Sequence, residues 1–153
     1  MKATVNITKR LDASAERAWA AIAGIGGLDR WFPIISDCRV EGAGIGALRI
    51  MKLTTGEEMR DRIVEIDAGA RRLRYKRPHH PFPVKDYAGV VEIHDDGEAH
   101  SVLSWTVRFD ADAEHRDDVV ALIHSAISDG VDGLNMELRE ARRIKSRERQ
   151  ASR

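Results

Sequence analysis

Two ionisable residues stand on strand faces that are otherwise apolar. Arg49 shares one side of its strand with Met51 and Leu53, and Asp61 shares a side with Met59 and Ile63. A charge on such a face is costly unless it is paired or wetted. The two strands are joined by the short turn Thr54-Thr55-Gly56, so the pair can be cross-strand neighbours. They then form a structural ion pair, or they hold the polar group of a ligand as anion anchor and acid/base. Asp61 as a general base would need burial to raise its pKa and a substrate proton within reach. His124, beside Ile123 on a long helix, is a third acid/base candidate that titrates near neutral pH or else a flank residue.

Around these lie side chains with apolar bodies and polar tips. Tyr75 shares a side with Leu73, Tyr87 with Gly89, Val91 and Ile93, and Trp105 with Leu103 and Val107. Each can line a cavity or simply pack in a core. Met51, Met59 and Met136 are adaptable filler or lining for a lipid-like ligand. Trp19 reads as core and Trp31 as rim. His79 and His80 are adjacent, point differently and have no evident third partner, so neither a metal nor a cofactor is expected. Gly42-x-Gly44-x-Gly46 is a turn between strands and lacks the strand-to-helix setting of a dinucleotide site.

The elements that must position these residues follow from periodicity. Ala3 to Leu11 alternates as a half-buried strand. Asp12 or Ser14 caps a helix whose inner face is Ala15, Ala18, Trp19 and Ile22, and Leu28 to Pro33 is a short helical turn stopped by proline. Strands follow at Ile34–Val40, Ala47–Leu53, Glu58–Asp67, Arg72–Arg77, Tyr87–His94 and Ser101–Phe109, with the proline-laden loop Pro78–Pro83 after the fourth. From Asp112 to Arg147 the residues Val119, Val120, Ile123, Ile127, Val131, Leu134 and Leu138 form one helical stripe. Acidic residues crowd its start and basic ones its end, the order the helix dipole favours. Seven strands and one long helix predict an α+β fold, a curved antiparallel sheet wrapped on that helix.

The chain has 153 residues, with 25 Lys plus Arg against 25 Asp plus Glu. That predicts one domain, residues 1–147, followed by a basic frayed tail at 148–153. A balanced charge gives no argument for nucleic acid. Nothing approaches a membrane span, no signal peptide opens the chain, and a cytoplasmic location follows by default. Cys38, the single cysteine, excludes a disulfide framework.

In order and spacing the chain resembles the helix-grip fold of the START and birch-pollen-allergen-like superfamily (SRPBCC). The bacterial polyketide cyclase/dehydrase and lipid-transport-like branch is the nearest likeness. The matching pieces are Ala15 to Trp19, Leu28 to Pro33, Gly46 to Arg49, Asp61 to Asp67, Arg74-Tyr75, Asp86 to Gly89, Ser104-Trp105, Gly133-Leu134 and Glu137 to Arg139. The resemblance implies a cavity between sheet and long helix that holds a hydrophobic, partly polar molecule such as a lipid, sterol or polyketide. Arg49, Met51, Met59, Asp61, Tyr75, Tyr87, Trp105, Ile127 and Val131 are then the expected lining. Trp31, His79, His80 and Phe82 are the expected cavity mouth. Binding alone is the first expectation; a cyclase or dehydratase using Asp61, Arg49 or His124 is the second, and a protein-partner module the third. A homo-oligomer is compatible with the sequence but not indicated by it. Gly130 and Gly133 are expected to leave room beside the helix.

Overall fold

A computed structural model describes residues 1–152. Strand β1 (Lys2–Leu11) leads to helices α1 (Ala15–Ala23) and α2 (Leu28–Trp31). Strands β2 (Ile35–Glu41), β3 (Leu48–Leu53), β4 (Glu58–Asp67), β5 (Arg72–His79), β6 (Val84–Asp95) and β7 (Ser101–Ala111) follow, then helix α3 (Ala113–Ala151). The strands form one antiparallel sheet in the order β1-β7-β6-β5-β4-β3-β2. The chain therefore meanders from β2 to β7, and β1 pairs with β7 to complete the far edge. Helices α1 and α2 carry the chain between the two edge strands.

Strands β1 and β7 bury alternate residues, as their period-two pattern demands. In β7 the buried set includes Leu103, Trp105, Val107 and Phe109, and in β1 it is Ala3, Val5, Ile7 and Leu11. Against this face α3 lays Val119, Ile123, Ile127, Val131, Leu134 and Leu138. Ser14 caps α1, its hydroxyl accepting from the Arg17 amide at 3.2 Å. Helix α3 runs 39 residues, about 58 Å at 1.5 Å per residue. It continues past Arg147 into the segment expected to fray, and from Arg139 onward every described residue is exposed. Arg153 lies outside the described residues.

Two sequence expectations change at α2. Gly130 and Gly133 do not leave room, because α2 occupies it. A Cβ on Gly130 would sit 2.3 Å from the Phe32 ring, and one on Gly133 would sit 2.1 Å from the Trp31 carbonyl oxygen. Both glycines are there for close approach, which offsets their weak helix propensity. Trp31 is not at a rim either. It is buried, its indole N–H donating to Glu137 of α3 at 2.5 Å while Arg30 pairs with the other carboxylate oxygen at 2.6 Å. Burial works against the Glu137 charge, yet Arg30 and Trp31 hold its carboxyl below the usual range.

Gly133→Ala tests this seat. Helix propensity alone would gain about 1 kcal/mol; the clash should turn this into a net loss of about 1–3 kcal/mol. Thermal unfolding should show the lower Tm, and amide exchange should rise selectively over 28–32.

Candidate functional site

Three charged side chains converge on the sheet's inner face. Arg49 on β3 and Asp61 on β4 are register partners. The guanidinium of Arg49 donates to Asp61 Oδ2 from Nε at 3.0 Å and from Nη2 at 2.8 Å. Arg77 on β5 donates to Oδ1 from Nε at 2.7 Å and to Oδ2 from Nη2 at 3.2 Å. All three are buried, Asp61 completely. Arg77 is the member that strand parity could have supplied, since it shares a side with Leu73 and Tyr75. It closes the strand expected over Arg72–Arg77, and its contact with Asp61 is set by the partner strand.

A β-bulge aims Arg77 at Asp61. Arg60 pairs with His79 and Arg62 with Lys76, so Asp61 faces two residues, Arg77 and Pro78. Proline is tolerated there because a bulge frees one ladder position. A second bulge lies on β6, where Lys85 pairs with Asp110 and Ala88 with Arg108, with Asp86 in the left-handed region at φ 54°. It turns Tyr87 inward. The β5–β6 ladder ends at Lys76 and Ala88, and beyond it the strands part.

The cluster is packed in aromatic rings. Arg49 lies 4.9 Å and Arg77 5.4 Å from the Tyr75 ring centre, and Arg77 lies 4.6 Å from that of Tyr87. Trp105 donates its indole N–H to the Tyr75 hydroxyl at 3.1 Å. Tyr75 itself lies over Gly89, where a Cβ would stand 2.2 Å from its ring. Burial pushes both tyrosine hydroxyls above their ordinary pKa. Burial also opposes the Asp61 charge, but Arg77 and Arg49 outweigh it and hold the carboxyl below the usual range. Asp61 is thus an ionised carboxylate with both oxygens engaged, which does not suit a general base.

Two arginines against one aspartate leave a formal surplus of +1. Leaving a buried charge uncompensated costs several kcal/mol. A cation–π contact contributes roughly 0.5–2 kcal/mol, so the tyrosines offset only part of it. Arg49 spends its remaining Nη1 on the Ile25 carbonyl at 3.1 Å. Arg77 has Asp61 as its one protein acceptor among the described residues, through Nε and Nη2.

The space next to the cluster is small. Between sheet and α3 it amounts to about 30 Å³, walled by Phe32, Met59, Tyr75, Arg77, Trp105 and Ile127 among others. That is room for about one water molecule. The larger hollow, about 540 Å³, is the cleft where β5 and β6 part, and Arg77 and Tyr87 border both spaces. His80 borders the cleft, with its ring 5.7 Å from those of Phe82 and Tyr87.

The other expected residues are placed as follows. Met51 and Val131 are buried without bordering the inner space, and Met136 is exposed. His79 is exposed on β5, paired with Arg60. His124 does not enter the interior: it lies one position past Ile123, about 100° around the helix, and is exposed. Among the described residues no cluster of His, Cys, Asp or Glu could hold a metal ion, and no helix is long and apolar enough to cross a membrane.

Two outcomes are expected. Asp61→Asn leaves two buried guanidiniums without a counter-ion and should cost about 3–5 kcal/mol. Arg77→Met loses charged hydrogen bonds but relieves the surplus charge, and should cost less, on the order of 1–2 kcal/mol; urea unfolding of both variants checks the order. His80 accepts the Phe82 amide on Nδ1 at 3.2 Å, and burial, then Arg77, lowers its pKa. Its folded pKa lies below its unfolded one, so its neutral form is favoured by folding. Stability should fall as pH drops through the ordinary value near 6.5 towards the folded one. An NMR titration of the His80 ring should give a midpoint below that value, and His80→Gln should remove this part of the pH dependence.

Comparison with known proteins agrees with this architecture. Residues 2–139 match the family described as polyketide cyclase / dehydrase and lipid transport. A solution structure from Thermobifida fusca is similar at TM-score 0.79 and 29% identity, covering 88% of this chain and 92% of that one. The protein XoxI from Bacillus cereus is similar at TM-score 0.81 and 22% identity, over 92% and 98%. Norcoclaurine synthase from Thalictrum flavum, solved with a transition-state analogue, is similar at TM-score 0.77 and 16% identity, over 93% and 97%. The last two likenesses are of fold alone. No curated protein sequence matches significantly. A seven-stranded sheet gripping a long helix, matched along nearly its whole length, places this chain in the polyketide cyclase/dehydrase and lipid-transport family of the SRPBCC superfamily.

Proposed function

We propose that this protein binds a small molecule with an apolar body and a polar head, lodged between the inner face of the sheet and α3. The observation that carries the reading is the buried cluster Arg49–Asp61–Arg77. Its formal charge is +1 and it stands at a double bulge beside an aromatic-lined space. Bulges commonly re-aim side chains next to binding and active sites. The family's description, covering cyclases, dehydrases and lipid transport, supports a ligand of this class.

A space of about 30 Å³ is too small for such a molecule, so binding needs an outward movement. Two side chains can supply it. Phe32 caps α2, which is held on α3 by side-chain contacts to Glu137. Phe82 lies in the β5–β6 loop, partly exposed. Binding without turnover is preferred to a cyclase or dehydratase activity, because Asp61 is saturated with guanidinium hydrogen bonds and His124 is exposed.

Titration with fluorescent fatty acids, sterols and aromatic polyketides tests the reading. At least one class should bind saturably at one molecule per chain. Phe32→Ala costs about 3–5 kcal/mol of stability, yet should bind the same probe several-fold more tightly because the space is already open. No saturable uptake by either protein would contradict the proposal.

A further inference from the structure

We infer that the ligand is an anion, a carboxylate on an apolar body, and that its head group enters between β5 and β6 to pair with Arg77. The inference rests on the binding reading above and names the chemistry of what is bound. Three independent features point the same way.

The first is charge. Asp61 already accepts four guanidinium hydrogen bonds, so it cannot also neutralise the second arginine. The cluster lacks one negative charge, and a ligand anion would supply it through charge-assisted hydrogen bonds. The second is unused donor capacity. Arg77 is buried and Asp61 occupies its Nε and Nη2, which leaves Nη1 without a protein acceptor among the described residues. Tyr87, inward and packed on Arg77, is likewise without a protein hydrogen bond at its hydroxyl among the described residues. Burial holds that hydroxyl in its protonated, donating form. Two donors suit the two oxygens of a carboxylate better than the three of a phosphate.

The third is access. Arg77 and Tyr87 border the inner space and also the outer cleft of about 540 Å³. Lys76 and Lys85 flank that cleft, and Asp86 is its one carboxylate. Three cationic side chains against one anionic one give an approach that favours an anion. The flat aromatic side chains of His80 and Tyr87 beside it suit an apolar body.

The test compares three probes that share one apolar body: 1-pyrenebutanoate, 1-pyrenebutanol and the phosphate monoester of that alcohol. With the wild-type protein the acid should bind at least tenfold more tightly than the alcohol, and more tightly than the phosphate. In Arg77→Met the preference of acid over alcohol should fall below about twofold, through loss of affinity for the acid. Should that variant not fold, the wild-type protein suffices. A carbon-13 label on the carboxyl carbon should show the bound acid ionised to a lower pH than the free acid. Equal affinity for acid and alcohol, a preference that survives Arg77→Met, a tighter phosphate, or an unshifted carboxyl titration would each overturn the inference while leaving binding itself intact. Uptake of none of the probes, neutral or charged, would overturn the binding reading and this inference with it.

Discussion

The structure is organised around one carboxylate held between two guanidiniums. Asp61 ties β3 to β4 through Arg49 and β4 to β5 through Arg77. Arg49 then reaches the Ile25 carbonyl, whose residue adopts φ 68°, an uncommon conformation for a β-branched side chain. The guanidinium thereby fixes the loop from which α2 departs. A group of buried charges this expensive is weak evidence for stability, since apolar packing would serve as well. Its place beside an aromatic-lined space, with one positive charge in excess, is what the proposed ligand would account for.

Opposite that cluster, α2 is the element that determines how much space remains. Phe32 sits against Gly130, and the Trp31 backbone sits against Gly133, so a four-residue helix lies close against α3. Such a helix has almost no stability of its own. It stays through burial of Leu28, Trp31 and Phe32 and through the Glu137 contacts. Displacing it would require a ligand that replaces the lost apolar burial. The cationic cluster is anchored on three strands, whereas the wall facing it is a four-residue helix held by its side chains. That division suits a site which orients a head group while adapting to the body behind it.

Much of this was legible in the residues themselves. Alternation identified the inner faces, because a two-residue period leaves no ambiguity about sides, and the short turn between their strands allowed Arg49 and Asp61 to be neighbours. The apolar stripe of α3 was equally plain. Arg77 lies inside the strand expected over Arg72–Arg77, but its aim at Asp61 comes from a bulge, which is defined by the partner strand and not by local sequence. Gly130 and Gly133 could be read as empty space or as close approach, and only the position of α2 distinguishes them. His124 was ambiguous by a single helical step. Trp31 was placed at a rim because its partner, Glu137, lies 106 residues away. These misses share a cause: each depends on which distant element covers the residue.

The most direct measurement is a side-chain guanidinium NMR spectrum recorded while an apolar carboxylic acid is titrated in. Arg77 and Arg49 should be resolved from the surface arginines by slow exchange with water. Saturable binding should shift the Arg77 Nη resonances strongly and Arg49 weakly, with α2 amides moving in step. Saturable binding that left Arg77 unchanged and moved only surface residues would contradict the account.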